Sequence, residues 1–121
     1  MKIPSISFPH LHAKPQPLNS YQTELRDIAK GTFPTVLTDD QAKLLKNPVV
    51  KAKGGDAGMV TMIYNLKDPA SAAALGKALN DGWDGLNENI NEGLDTIGMT
   101  DLKITSKGKQ VIVEMNYKVG S

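Results

Sequence analysis

The sequence predicts an α+β domain built on a split β-α-β unit. In this arrangement, a long amphipathic helix covers one face of a three-stranded sheet, and two short helices come before the unit. Three observations favour it: strand-forming side chains over residues 59–66, apolar side chains at helical spacing over residues 72–97, and alternating apolar and polar side chains over residues 110–119. The last strand is the most regular, and we expect it to lie between the other two, antiparallel to both.

Length and composition narrow the class of protein. The chain has 121 residues, no cysteine and a net charge of +1, which fits one domain. The lack of cysteine excludes a disulfide scaffold and a thiolate metal site. The near-neutral charge argues against nucleic acid as a partner, because nucleic-acid-binding domains carry a strong basic excess.

The chain divides into a proline-rich tail over residues 1–19 and a single α+β domain over residues 20–121. The tail holds four of the seven prolines, which disfavour helices and central strands, so we expect it to be extended or mobile. Phe8 and Leu11 are candidates for holding the tail against the domain or a partner.

The sequence also bears on the compartment. Prolines and the lack of an apolar run near the start argue against a cleavable signal peptide. No stretch of 18 apolar residues is present, so no membrane insertion is predicted. The expected location is the cytoplasm, or outside the cell by export without a cleavable signal peptide.

Two short helices are predicted first. Ser20 is a candidate N-cap for a helix over residues 21–30, which Gly31 would end. Thr38 is the candidate N-cap of the second helix, which we expect to end at Asn47 because a proline follows it.

Residues 51–58 (KAKGGDAG) are predicted to be a flexible loop. They lack the Gly-Lys-Ser/Thr ending of a phosphate-binding loop, and they precede a strand instead of following one. The strand over residues 59–66 follows, and Asp68 and Pro69 then start the next helix.

A helix over roughly residues 70–97 is predicted from two stripes of side chains. The apolar stripe consists of Ala72, Leu75, Leu79, Trp83, Leu86, Ile90, Leu94 and Ile97. The opposite stripe is acidic and consists of Asp81, Asp84, Glu88, Glu92 and Asp95. Gly98 is the candidate C-cap. Gly82 and Gly93 lie at the edge of the apolar stripe, where they are either tolerated inside the helix or allow another element to approach closely.

A hairpin closes the domain. Leu102 and Ile104 lead into a turn over residues 106–109, in which Gly108 supplies a positive φ. The strand over residues 110–119 follows.

Charge is unevenly distributed, with a net +4 over residues 1–67, −6 over residues 68–101 and +3 over residues 102–121. The segments either balance one another within the molecule or form a polarised surface that attracts a partner. The candidate charged contacts are Lys103, Lys107, Lys109, Asp84, Glu88 and Glu92. No exposed aromatic side chain is expected beside the lysines, which again disfavours nucleic acid.

The sequence predicts no catalytic residue, cofactor or metal site. Its histidines are His10 and His12, both in the tail, where a general base would not be held in place. A metal site there would need distant carboxylates. An enzyme using Asp56 with Tyr64 is the least favoured hypothesis.

We therefore expect a non-enzymatic protein–protein interaction module that self-associates through a face or an edge of its sheet. Ile63 and Ile112 are predicted to lie on the outer face and are the candidate contacts. One alternative is a carrier of a small apolar ligand or lipid, lined by methionines. A second alternative is a secreted bacterial effector or its immunity protein.

Overall fold

The computed structural model describes residues 18–94 and 96–120. Four α-helices and one 3₁₀ turn are present in this part: α1 (Ser20–Thr32), the 3₁₀ turn (Phe33–Val36), α2 (Asp39–Ala42), α3 (Pro69–Asp81) and α4 (Trp83–Gly93). The strands are β1 (Val49–Gly54), β2 (Ala57–Asn65), β3 (Ile97–Lys107) and β4 (Gln110–Val119). The fold is α+β, as the sequence predicts.

The strands form one sheet in the order β1-β2-β4-β3, and every neighbouring pair is antiparallel. The predicted position of β4 between β2 and β3 is confirmed. The prediction of three strands is wrong, because the sheet has four. The additional strand, β1, includes residues 51–54, for which the sequence predicts a loop.

Strand β1 forms because its side chains alternate. Val50 and Ala52 pack against the core, while Lys51 and Lys53 are exposed. The chain makes a tight turn into β2 at its end: Gly54, the last residue of β1, has a φ of 93°, a conformation that favours glycine. A composition typical of a linker therefore builds a β-hairpin here.

The single helix predicted over residues 70–97 is wrong in its length. Gly82 separates α3 from α4, α4 ends at Gly93, and β3 starts at Ile97. Gly98 therefore lies in a strand and caps no helix. The lack of a side chain at Gly82 lets Val36 approach, because a Cβ atom on Gly82 would lie 2.7 Å from the Val36 Cβ.

Packing of α1 against α4 depends on a second close approach. A Cβ atom on Gly93 would lie 3.1 Å from Ile28 Cγ2, which is tighter than ordinary van der Waals contact. Of the two readings of Gly82 and Gly93, the structure shows the one in which another element comes close. Both glycines lower the local helix propensity, and in return they allow this close packing.

The core lies between the helices and one face of the sheet. Despite the break, the apolar stripe on both sides of Gly82 is buried, including Leu75, Leu79, Leu86 and Ile90. The sheet contributes alternate side chains, which include Val60, Met62, Tyr64, Val111, Val113, Met115 and Tyr117. The alternation predicted for residues 110–119 is therefore confirmed.

Helix α1 begins and ends differently from the prediction. Its N-cap is Asn19, whose side chain accepts from the Gln22 amide at 2.8 Å while the Gln22 side chain accepts from the Asn19 amide at 3.0 Å. This reciprocal pair displaces Ser20 from the cap position. Gly31 does not end α1, because the buried Thr32 and Phe33 continue the chain into the 3₁₀ turn.

Thr38 caps α2 as predicted, with Gln41 completing the same reciprocal pattern. The helix has only four residues and does not reach Asn47. After Ala42 the backbone hydrogen bonds span three residues instead of four, such as that from the Leu45 amide to the Ala42 carbonyl at 3.1 Å. This tightening is usual at helix ends.

The β3–β4 hairpin confirms the predicted turn, although its loop has two residues, Gly108 and Lys109, instead of four. Gly108 has a φ of 57°, and a glycine first in a two-residue loop is typical of a type II′ turn.

Within the described residues, no helix is long and apolar enough to cross a membrane.

Candidate functional site

The candidate site is the face of the sheet that points away from the helices, here called the open face. Its side chains are exposed or half-buried, and no element within residues 18–94 and 96–120 covers them. The strand register arranges them in rows that run across β1, β2, β4 and β3. Three of these rows span all four strands.

The apolar row consists of Val49, Ile63, Ile112 and Thr105. The structure brings the two predicted contact residues together, because Ile63 and Ile112 lie directly opposite each other on the central strands. Val49 extends the row to the edge with 45% of its surface exposed. Val49 is not among the residues predicted from the sequence, because its strand is not predicted.

The lysine row lies next to the apolar row and consists of Lys51, Thr61, Glu114 and Lys103. Lys103 is directly opposite Glu114, an arrangement in which opposite charges stabilise an antiparallel pair. Lys107 lies further along the same face of β3, opposite Gln110, and Lys109 lies in the adjoining turn. The three predicted lysines therefore cluster along one side of the face.

The end row consists of Lys53, Met59, Asn116 and Asp101. Lys53 and Asp101 stand on the two edge strands, and both line a shallow depression of about 590 Å³ at this end of the sheet. Neither of them forms an ion pair within the described residues. Opposite charges therefore stand at opposite edges of the same row.

The β3 edge is capped by side chains from α3 and α4. Trp83 Nε1 donates to the Leu102 carbonyl at 2.9 Å, and Asn80 Nδ2 donates to the Ile104 carbonyl at 3.1 Å. A third bond joins the Met99 amide to Asn91 Oδ1 at 3.3 Å. Because these groups face away from β4, the caps occupy positions that a further strand would need.

The β1 edge is protected differently. By the alternation of an antiparallel ladder, its outward-facing backbone groups belong to Val50 and Ala52. Pro48 precedes the strand, and Lys51 and Lys53 lie on it. If the β1 edges of two copies paired antiparallel about Lys51, Lys51 would lie opposite Lys51. If they paired about Ala52, Lys51 would lie opposite Lys53. Both arrangements place like charges opposite each other, which is destabilising.

A buried polar cluster lies on the core side of the sheet. Tyr117 donates its hydroxyl hydrogen to the Gly55 carbonyl at 2.7 Å and accepts from Gln22 Nε2 at 2.9 Å. The Gln22 side chain also lies 3.2 Å from the Gly54 carbonyl. These bonds attach α1 to the β1–β2 turn, so the cluster has a structural role.

The predicted acidic contacts lie on the other layer of the molecule. Asp84, Glu88 and Glu92 are all exposed on α4, while the open face carries five lysines and two acids (Lys51, Lys53, Lys103, Lys107, Lys118, Asp101 and Glu114). The molecule is therefore electrically polarised, with a basic sheet face and an acidic helix surface.

The remaining candidate groups do not form a catalytic cluster. Tyr64 is buried on the core side, where burial raises the pKa of its phenol. Glu114 lies on the open face and Asp56 in the β1–β2 turn. Tyr64 is thus separated from Glu114 by the sheet itself.

Other predicted residues can be placed briefly. Met62, Met99 and Met115 are buried in the core, whereas Met59 lies on the open face. No group of three or more metal-ligating side chains occurs among the described residues. Phe8, Leu11, His10 and His12 lie outside the described residues.

Comparison with known proteins does not extend this picture: no protein-family model matches the chain, and no curated protein or solved structure is significantly similar to it.

Proposed function

We propose that this protein is a non-enzymatic protein–protein interaction module that self-associates through the open face of its sheet. The observation that carries the proposal is the apolar row, which places Val49, Ile63 and Ile112 side by side on a face without a covering element in the described residues. An antiparallel sheet can expose one face to solvent, but the side chains of that face are then normally polar along its whole length.

The size of the open face supports association. Four strands at about 4.8 Å spacing and nine residues at about 3.4 Å rise give roughly 600 Å² for one copy. Two copies would bury about 1,200 Å² together, which is at the lower limit of specific protein interfaces. We therefore expect a modest affinity and an equilibrium between monomer and dimer.

The two edges favour the face as the contact. Trp83, Asn80 and Asn91 cap the β3 edge, and lysines on β1 disfavour antiparallel pairing there. Of the predicted routes to self-association, sheet face or sheet edge, the open face is the one we propose.

The test replaces the two central isoleucines. The double variant Ile63→Thr/Ile112→Thr keeps β-branched side chains, and so strand propensity, while it removes apolar surface from the face. We expect the dimer Kd to rise at least tenfold, measured by sedimentation equilibrium up to about 1 mM protein.

Ala74→Ser is the matched control, because Ala74 is exposed on α3, on the other layer of the molecule. It should leave the dimer Kd unchanged. A wild-type protein that stays monomeric across the whole concentration range would refute the proposal. Circular dichroism spectra of the variants verify that the fold is kept.

A further inference from the structure

The edge of β1 has backbone hydrogen-bonding groups that nothing in the described residues uses. Val50 and Ala52 direct their amides and carbonyls away from β2, and no backbone hydrogen bond joins these groups to another described residue. The open stretch is short, because Pro48 before it has no amide hydrogen and the Gly54 carbonyl after it accepts from Gln22 Nε2 at 3.2 Å. Two residues of the edge therefore offer the alternating donors and acceptors that a further strand requires.

The side chains of β1 differ in chemistry on the two faces of the sheet. Lys51 and Lys53 are exposed on the open face, and neither forms an ion pair within the described residues. Val50 and Ala52 point to the core side but are only half-buried, so each keeps apolar surface that a neighbouring strand can cover. A complementary strand is therefore acidic on one face and apolar on the other.

We propose that β1 binds an extended segment of another protein, in which acidic and apolar residues alternate, as an additional antiparallel strand of the sheet. The apolar residues of that segment form the hydrogen-bonded pairs with Val50 and Ala52, and their side chains lie on the core side. The acidic residues lie opposite Lys51 and Lys53, where opposite charges stabilise the pairing. This inference concerns a different surface from the proposed self-association and does not depend on it.

The shape of the sheet supports β1 as the edge that accepts a strand. A depression of about 210 Å³ lies at β1, lined by Lys51, Ala52, Lys53, Met59 and Thr61, which leaves room for acidic side chains beside the lysines. The other edge is different, because side chains of α3 and α4 donate to two carbonyls of β3. A strand added at β3 would have to displace these bonds, whereas β1 has none to lose.

Charge distinguishes the possible occupants of the β1 edge. A second copy that paired antiparallel through its own β1, about Lys51 or Ala52, would bring lysines together, which is unfavourable. Residues 1–17 of the same chain contain no aspartate or glutamate, so their sequence offers no acid to Lys51 or Lys53. An acidic and apolar strand from another protein satisfies both the backbone groups and the lysines.

The first test uses a peptide of alternating valine and glutamate, about eight residues long, titrated into the dilute full chain and followed by NMR. Because few backbone hydrogen bonds form, we expect a Kd of about 1 mM, together with slower exchange of the Val50 and Ala52 amides. Methyl groups on the valine amides should abolish binding, because these amides face β1 in the antiparallel pair. Methyl groups on the glutamate amides, which point away from β1, should leave the Kd unchanged.

The second test reverses charge on the protein. Lys51→Glu/Lys53→Glu should raise the Kd of the valine–glutamate peptide about tenfold, and it should give binding of a peptide of alternating valine and lysine. Lys103→Glu/Lys107→Glu is the matched control, because it makes the same change of charge on the same face at the β3 edge. This control should change the Kd less than about threefold. Circular dichroism spectra verify that both variants keep the fold.

Several results would overturn the proposal. They are the absence of binding at about 5 mM peptide, equal binding of the two methylated peptides, and equal weakening by the two double variants. The last two would show that the peptide is only attracted to lysines, without pairing to β1. Protection of the Val50 and Ala52 amides in the free chain would also overturn it, because the edge would then already be covered.

Discussion

At the scale of single residues, a few side chains decide where helices start and how elements meet. Asn19, Thr38 and Asp68 each accept a hydrogen bond from a backbone amide three residues ahead, which satisfies donors that have no partner inside the helix. Thr38 is the cap that the sequence predicts, and Asp68 stands where the sequence predicts the start of a helix. Asn19 competes with its neighbour Ser20, and the interaction of Gln22 with both the cap and Tyr117 decides between them.

Asp68 gives a prediction for the pH dependence of stability. The hydrogen bond from the Ser71 amide at 2.7 Å, and then that from its side chain, hold the pKa of the Asp68 carboxyl below its usual value. A lowered folded-state pKa means that the contribution is present above the unfolded-state pKa of about 3.9 and is lost as the pH falls through the folded-state value.

Asp68→Ala should therefore lower the melting temperature by a few degrees at pH 7. The difference from wild type should shrink as the pH falls below about 4. Asp68→Ser is the control, because it keeps a capping oxygen without a titratable group. A constant difference between wild type and Asp68→Ala down to pH 2 would contradict the role given to the ionised cap.

At the scale of elements, Gly82 decides that α3 and α4 are two helices. Both helices share one apolar stripe, so hydrophobic periodicity alone predicts a single continuous helix across the break. The 3₁₀ turn approaches so closely that only a glycine fits next to Val36. The position of that turn comes from a different part of the chain, which is why periodicity could not reveal the break.

Gly82→Ala tests this close approach. Helix propensity favours alanine over glycine by about 1 kcal/mol, but the new Cβ atom would clash with Val36. We expect a net loss of about 1–3 kcal/mol in the free energy of unfolding, measured by urea denaturation. The backbone at Gly82, with φ −90°, suits alanine, so any loss reports on packing.

Gly85→Ala is the matched control within α4. Its Cβ atom would lie 3.9 Å from the nearest Val36 atom, which is ordinary contact, so this variant should be more stable by about 0.5–1 kcal/mol. Equal effects of the two substitutions would show that the Gly82 contact does not matter.

At the scale of the whole molecule, the strands of the sheet differ in how well their backbone amides are protected from solvent. β4 is hydrogen-bonded on both sides and is buried against the helices. β1 is a short edge strand with free outward amides at Val50 and Ala52 within the described residues. Stability is therefore expected to differ between strands of one sheet.

Amide hydrogen exchange followed by NMR should show this gradient in dilute protein. The amides of β4 should exchange only through global unfolding, whereas those of Val50 and Ala52 should exchange orders of magnitude faster. Equal protection of both strands would mean that the β1 edge is covered. On β3, the amide of Met99, which donates to the Asn91 side chain, should be intermediate.

Much of the open face could be expected from the sequence. The alternation in residues 110–119 gives the side on which Ile112 lies, and that in residues 59–66 gives the side of Ile63. The register that brings these two residues into one row comes only from the paired strands. The places of Val49 and Lys53 on this face were not predicted, because strand β1 includes a stretch rich in lysine and glycine that resembles a linker in composition.

The sequence by itself determined the fold class, the central place of β4, the hairpin at Gly108 and the buried side of each predicted element, because these follow from local periodicity and turn chemistry. Only the tertiary structure decided the fourth strand, the break at Gly82 and the capped β3 edge. Each of these depends on contact between residues far apart in the chain, such as Val36 with Gly82 and Trp83 with Leu102. A one-dimensional pattern carries no record of such contacts.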